Sequence, residues 1–211
     1  MIHVLIVDDH TIVRKGIKQL LEDTPDIRVS GEAEHAAEML RKIHHHHFDV
    51  VVLDISLPGR SGVEALKQLK SIKPHLPVLI LSMYPEDQYA LRVIKSGAAG
   101  YLTKESAPAE LETAIRKVSA GKRYISSKVA DTLADHLHDP GETPSYKILS
   151  DREFEVMRRI AAGETLTQIS QSLSLSVKTI STYRTRILNK LNLNNNSELI
   201  RYAIQQRLVD L

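Results

Sequence analysis

The 211-residue sequence contains no cysteine, which removes disulfides, thiolate metal sites and cysteine nucleophiles together and gives no reason to expect an oxidising compartment. It has no apolar run long enough to cross a bilayer. It opens on Met-Ile-His-Val-Leu-Ile-Val-Asp-Asp-His, a short apolar stretch closed by two acids, with neither a basic leader nor a small-residue cleavage site. The expectation is a cytoplasmic protein, neither exported nor membrane-inserted. Gly59, Gly62, Gly97 and Gly100 do not fall into the spacing of a dinucleotide-binding or P-loop phosphate cradle. Internal repeats and low-complexity segments are missing as well, apart from the run His44–His47. What is present is a 42% share of hydrophobic residues, enough for real cores in one large or two small domains.

Charge is shared unevenly along the chain. Residues 148–211 hold nine Lys/Arg against six Asp/Glu, a net of +3, which leaves 19 against 20, a net of −1, for residues 1–147. Different partners for the two parts follow. The first part alternates short β-branched runs, at His3–Val7, Ile27–Val29, Val50–Leu53, Val78–Leu81 and Tyr101–Leu102, with amphipathic stretches over 11–23, 34–43, 62–72, 87–96 and 108–120. In the first stretch Ile12, Ile17, Leu20 and Leu21 recur at helical spacing. Five strand–helix units in series predict a parallel sheet covered by helices on both faces, of order 2-1-3-4-5, and strands buried on both sides explain why Val50–Leu53 is continuously apolar. After Gly121 the strand signal stops. Residues 121–147, with a polar break over 139–145, read as a linker containing at most one helix, which makes 1–120 one domain and 148–211 another. In the second domain a capping box at Ser150/Glu153, Gly163, Thr165 or Leu166, and Ser176 punctuate short helices, with a last one over 197–207.

Ligands of open parallel sheets bind beyond the carboxyl ends of the strands. The polar residues standing there are Asp8 and Asp9 after the first run, Asp54 after the third, Ser82 after the fourth and Lys104 after the fifth. Each alone has a bland reading: a helix cap, a turn before Pro58-Gly59, a loop hydroxyl, a solvated charge. Five at one edge point to a shared site. Three converging carboxylates repel one another and suit a hard, oxygen-seeking cation such as Mg2+. With that ion and the Lys104 ammonium drawing charge from an incoming phosphoryl group, a carboxylate can act as nucleophile. Asp54 lies between the acid pair and Ser82/Lys104 in the predicted strand order.

On Asp8-Asp9-His10, Leu53-Asp54-Ile55-Ser56-Leu57-Pro58-Gly59-Arg60-Ser61-Gly62, Ser82-Met83 and Gly97-Ala98-Ala99-Gly100-Tyr101-Leu102-Thr103-Lys104, residues 1–120 resemble the receiver domain of bacterial two-component response regulators, which is flavodoxin-like. The resemblance implies that a sensor histidine kinase phosphorylates Asp54 and that Asp9, Asp54 and the Ser56 carbonyl hold Mg2+ with Asp8 assisting. It further implies that Ser82 reorients toward the phosphoryl group, that Lys104 contacts it, and that Tyr101 is an aromatic switch for the face between helices 87–96 and 108–120. Glu105 departs from the proline that follows the lysine in many receivers.

Residues 149–210 resemble the LuxR-type helix-turn-helix, so the whole is similar to the NarL/FixJ type of response regulator, a transcription regulator and not an enzyme. The family pattern is left at Glu164-Thr165-Leu166-Thr167-Gln168-Ile169. Over Val177–Leu191, Ile180, Ile187, Leu188 and Leu191 read as core. Lys178, Thr179, Ser181, Thr182, Arg184, Thr185, Arg186 and Lys190 read as an outer face without an acid, where an ordinary solvated face would mix in acids. Such a face suits duplex DNA: Ser181, Thr182 and Thr185 toward base edges; Lys178, Thr179, Tyr183, Arg184, Arg186 and Lys190 toward phosphate. A single module reads one half-site, which implies a homodimer on DNA. Leu199, Ile200, Ala203, Ile204 and Leu208 serve either as a dimer seam or as the module's own core. Two rivals stand beside this reading. One is a metal-dependent aspartyl-phosphate phosphohydrolase built on Asp8, Asp9 and Asp54; the other is a pure interaction protein. His44–His47 read as a solvated turn with incidental affinity for Ni2+ or Zn2+, because adjacent residues do not converge on one ion from a helix.

Overall fold

Buried parallel strands demand apolar residues on both faces, and the computed structural model shows every residue of β3 (Val50–Asp54) and β4 (Val78–Ser82) buried. It describes residues 1–59, 61–84, 86–126, 129–130, 145–206 and 208–209. The polar break over 139–144, any helix within 131–144, and Arg60, Arg207 and Asp210 lie outside these. The chain divides into two compact units, residues 1–139 and 140–211.

In the first unit, β1 (Ile2–Val7), β2 (Ile27–Ala33), β3, β4 and β5 (Gly100–Thr103) form one parallel sheet of order β2-β1-β3-β4-β5, as predicted. Val4 pairs with Val50, Leu53 with Ile80 and Ser82 with Thr103. The chain runs outward from β1 to β2 and then returns to β3, so the crevice at the carboxyl ends of β1 and β3 is the place where such sheets bind ligands. The helices between strands are α1 (Thr11–Glu22), α2 (Ala36–His45), α3 (Gly62–Ile72) and α4 (Glu86–Lys95), with α5 (Ala107–Ser119) after β5. The side of the sheet formed by Val4, Ile6, Val52 and Leu79 packs with Ile17 and Leu21 of α1 and with Leu111, Ile115 and Val118 of α5 in one core.

Two local features differ from the sequence reading. The buried face of α1 is Arg14, Ile17 and Leu21, whereas Ile12 is 81% and Leu20 38% exposed. A guanidinium takes the place expected of an aliphatic because the Asp8 carbonyl and the Glu32 and Glu34 carboxylates accept from it, as described below. Secondly, the residues after α5 are laid along the outer edge of β5. Tyr124 donates its N–H to Ala99 O at 2.9 Å and Tyr101 donates to Tyr124 O at 3.1 Å, which makes a parallel bridge opposite Gly100. A Cβ on Gly100 would lie 2.6 Å from the Tyr124 carbonyl oxygen, so glycine is needed for this close approach. The Tyr124 hydroxyl donates to Glu110 at 2.7 Å.

In the second unit a 3-10 turn (Ser145–Ile148) precedes α6 (Asp151–Ala161), α7 (Leu166–Ser172), α8 (Val177–Leu191) and α9 (Asn196–Gln205). Capping boxes at Ser150/Glu153 and Thr165/Gln168 open α6 and α7, and the Ser176 hydroxyl accepts the Thr179 N–H to open α8. Ser174 at φ +52° makes the sharp turn between α7 and α8. Ile180, Ile187, Leu188 and Leu191 are the buried residues of α8, and Leu199 and Ala203 of α9 and Leu208 just beyond it are buried too, so these residues belong to the module's own core. Most of α6 is buried despite its charge. Arg152 pairs with Glu155 at 2.5 Å, and Arg158 Nε donates to Leu208 O at 2.8 Å. Among the described residues no helix is long and apolar enough to cross a membrane.

Candidate functional site

The ends of β1, β3 and β5 bring three charged groups into contact. Lys104, just past β5, places its ammonium 2.7 Å from Asp8 Oδ2 and 2.9 Å from Asp54 Oδ2. Both carboxylates are almost fully buried. The Lys104 backbone N–H donates to Ser82 O at 2.7 Å, which ties β5 to β4 at this level. Asp9 completes the acid cluster: oxygens of Asp8, Asp9 and Asp54, with a ring nitrogen of His10, all lie within 4.8 Å of one another. His10 Nδ1 is 3.2 Å from Asp8 Oδ1 and 3.0 Å from Asp9 Oδ1.

Electrostatics follow from the burial. Burial raises the Asp54 carboxyl above its ordinary pKa; the Lys104 ammonium pulls it down and the neighbouring Asp8 charge pushes it up. For Lys104, burial works against the charge, but Asp54 and Asp8 outweigh it and hold the ammonium above its usual value. The Ser56 N–H donates to Asp54 Oδ1 at 3.2 Å. A buried carboxylate with an adjacent fixed cation is therefore in place, an arrangement that suits nucleophilic chemistry.

The donor set also fits a hard divalent ion. Three carboxylates share one small space, and Asp9 Oδ1 is buried and, beside the His10 Nδ1 contact at 3.0 Å, makes no hydrogen bond, so it retains accepting capacity for a cation.

The remaining residues singled out at this edge are placed as follows. Ser82 is fully buried and its hydroxyl accepts the Tyr84 N–H at 3.0 Å. Tyr101 is fully buried, and its hydroxyl donates to Tyr84 O at 2.7 Å. Tyr84 in turn stacks on Tyr89 with centroids 4.8 Å apart. Beyond Lys104, Glu105 lies in a turn in which Ser106 N–H donates to Thr103 Oγ1 at 3.1 Å.

Two supporting roles escaped the sequence reading, those of Arg14 and of Gly62. Arg14 donates to the Asp8 carbonyl at 2.7 Å, to Glu34 at 2.6 Å and to Glu32 at 3.2 Å, and so clamps the acidic turn from behind. Its signal was a cation in register with Ile17 and Leu21 on the buried face of α1. Gly62 opens α3 against the strand-end loop: a Cβ there would stand 2.2 Å from Asp54 O.

On α8, Lys178, Thr182, Thr185 and Arg186 are exposed, and Thr179, Ser181, Tyr183 and Arg184 are half-buried. The Thr182 and Thr185 hydroxyls donate back to Lys178 O at 2.9 Å and Ser181 O at 3.1 Å. Arg184 Nε donates to Asn196 Oδ1 at 2.5 Å. Lys190 differs from the reading of a uniformly outward basic face: its ammonium lies 2.7 Å from Glu153 Oε2 and closes on the α6 capping box. The physical reason is that Glu153 is buried and needs a counter-charge.

An acid-edged doubly wound domain followed by a helix-turn-helix is the build of a signal-controlled regulator. Residues 4–116 match the response regulator receiver domain and residues 147–203 the bacterial regulatory proteins of the luxR family. The chain belongs to the two-component response regulators of the NarL/FixJ type, which are DNA-binding transcription regulators. It is 39% identical over 209 residues to the response regulator UvrY of Escherichia coli, covering 99% of this chain and 96% of that one. Its identity to the response regulator GacA of Pseudomonas viridiflava is 39% over 211 residues, covering 100% and 99%. A solved structure of RcsB from Salmonella enterica serovar Typhimurium, bound to promoter rprA in the presence of the phosphomimetic BeF3-, superposes with a TM-score of 0.65 at 27% identity, covering 96% and 98%.

Proposed function

We propose that Asp54 is the phosphoacceptor of this regulator and that α8 is its DNA-reading element. The contact of one ammonium, that of Lys104, with both Asp8 and Asp54 at 2.7 and 2.9 Å supports the first part most strongly. In this reading an Asp54 oxygen attacks the phosphorus of a phosphohistidine on a sensor kinase. The N–P bond breaks, its electron pair stays on the imidazole nitrogen, which takes up a proton, and an acyl phosphate forms on Asp54. Lys104 exchanges a carboxylate partner for a phosphoryl oxygen. Ser82 turns from the Tyr84 N–H toward the same group, and Tyr101 repacks between α4 and α5. Asp9, Asp54 and the Ser56 carbonyl, with Asp8 assisting, would hold Mg2+. That ion, when bound, offsets the repulsion of the carboxylates and polarises the phosphoryl oxygens.

The boundaries we assign are 1–120 for the receiver, 121–147 for the linker and 148–211 for the DNA-binding domain, in a cytoplasmic protein. Ser181, Thr182 and Thr185 face base edges; Lys178, Thr179, Tyr183, Arg184 and Arg186 approach phosphate, and Lys190 does so to the extent that it leaves Glu153. Two copies bind two half-sites. Regulatory relatives along the full length set the phosphohydrolase alternative aside. The test is labelling by acetyl phosphate in Mg2+: wild type is labelled and Asp54→Ala is not. Labelling of Asp54→Ala at wild-type strength overturns the assignment.

A further inference from the structure

The histidine run acquires company in the fold. His44 and His45 end α2, and His46 and His47 continue into the turn before β3. The turn between α3 and β4 faces them with His75, and the two turns enclose a cavity of about 310 Å3 whose walls include His46, His47, His75 and Asp49. This cavity lies at the amino end of the sheet, whereas Asp8 and Asp54 stand at the carboxyl end. Nothing in the phosphotransfer chemistry uses it.

Its donors have the chemistry of a ligand set. His47 Nδ1 and Asp49 Oδ1 are 3.9 Å apart, a little wider than the roughly 3.4 Å between two ligands of a tetrahedral ion, so a small side-chain rotation brings both onto one ion. Asp49 is already oriented, since its other oxygen accepts the His3 backbone N–H at 2.7 Å, the kind of outer hydrogen bond that fixes a ligating carboxylate. The four donors have not closed on one another: among the described residues, the cluster of such groups within 4.8 Å is the acid pocket. His46, His47 and His75 are exposed, which leaves their rings room to turn toward the cavity they line. Lys73 also lines the cavity and opposes a cation.

We infer that His46, His47, His75 and Asp49 form a second metal site, which takes a borderline transition-metal ion such as Zn2+ or Ni2+. Imidazole nitrogens with one carboxylate select such ions over Mg2+, which demands oxygen. Neighbours along a helix cannot surround an ion; a residue 28 positions further along the chain, His75, supplies the missing direction.

The test is calorimetric titration of the full chain with Zn2+ in excess Mg2+, repeated in an Asp54→Ala background. One equivalent binds to wild type. His75→Ala and Asp49→Asn each weaken binding by about tenfold or more, while His44→Ala with His45→Ala changes it by no more than about twofold. Co2+ gives the intense visible bands of tetrahedral coordination in wild type and loses them in His75→Ala. Circular dichroism checks that each variant folds. Unchanged Zn2+ affinity in both His75→Ala and Asp49→Asn, or loss confined to the His44/His45 variant, means that the histidine run binds metal by itself and overturns the site.

Discussion

The backbone N–H of Tyr101 donates to the carbonyl of Tyr124 at 3.1 Å. The residue at the centre of the α4–β5–α5 face is thus hydrogen-bonded to the chain that leads out of the first unit. That chain also covers what would otherwise be an open sheet edge, a feature proteins guard because unpaired strand edges invite association.

Gly100 permits this approach. Gly100→Ala puts a methyl 2.6 Å from the Tyr124 carbonyl oxygen and 2.9 Å from the Tyr124 Cβ. Overpacking of this kind costs about 1–3 kcal/mol. Chemical denaturation should show that loss, and limited proteolysis should cut faster near residue 124. Wild-type stability in Gly100→Ala would mean that the segment yields freely.

Arg14→Met should uncouple the acidic turn from α1. It leaves the Asp8 carbonyl without the donor it has at 2.7 Å and Glu34 without its partner at 2.6 Å. Glu34 is exposed and Glu32 keeps Lys18, so the main loss is the bond to the buried Asp8 carbonyl, about 1–3 kcal/mol, and Arg14→Lys should recover little because an ammonium lacks the fork. Equilibrium unfolding measures the cost. Mg2+ affinity, followed by tyrosine fluorescence, should fall in both variants; a full rescue by lysine contradicts the clamp.

Glu153 supplies a pH dependence. Burial raises its carboxyl, but the hydrogen bond from Lys190 and those from Ser150 outweigh burial, so the net pKa lies below the usual glutamate value. A carboxyl lowered on folding contributes stability that is complete above its unfolded pKa of about 4.3 and is lost as pH falls through the folded value. Glu153→Gln should therefore lower the melting temperature at neutral pH, and the gap from wild type should shrink below about pH 4. A gap that stays constant across that range would refute the ionic role.

On DNA, two basic residues one turn apart on α8 should behave differently. Arg186→Ala should weaken binding to all duplexes and reduce the slope of log affinity against log salt by about one. Lys190→Ala should leave that slope nearly unchanged and reduce folding stability instead, because its ammonium is 2.7 Å from Glu153. Fluorescence anisotropy at several salt concentrations separates the two; equal slope changes would place Lys190 on phosphate.

The sheet and its order were legible because doubly buried parallel strands leave continuous apolar runs such as Val50–Leu53, and a polar residue after such a run marks the ligand edge. That rule picked out Asp8, Asp54 and Lys104, which do meet. It could not pick out Arg14, since an apolar-face pattern assigns buried positions to aliphatics and takes no account of acceptors waiting in β2. For the same reason Ile12 and Leu20, read with the buried face, stand in solvent. The engagement of Lys190 by Glu153 is a contact between distant segments, and His75 shares a cavity with His46 and His47 from a distant turn; no local periodicity carries either.

The Lys104 ammonium between Asp8 and Asp54 means that the resting pocket carries an internal counter-ion. Unlike the ligands of a zinc finger, which have no other partner to fold around, two of these carboxylates already have a protein counter-charge. The Mg2+ proposed for this pocket would then be a reagent recruited for phosphotransfer and not a structural staple.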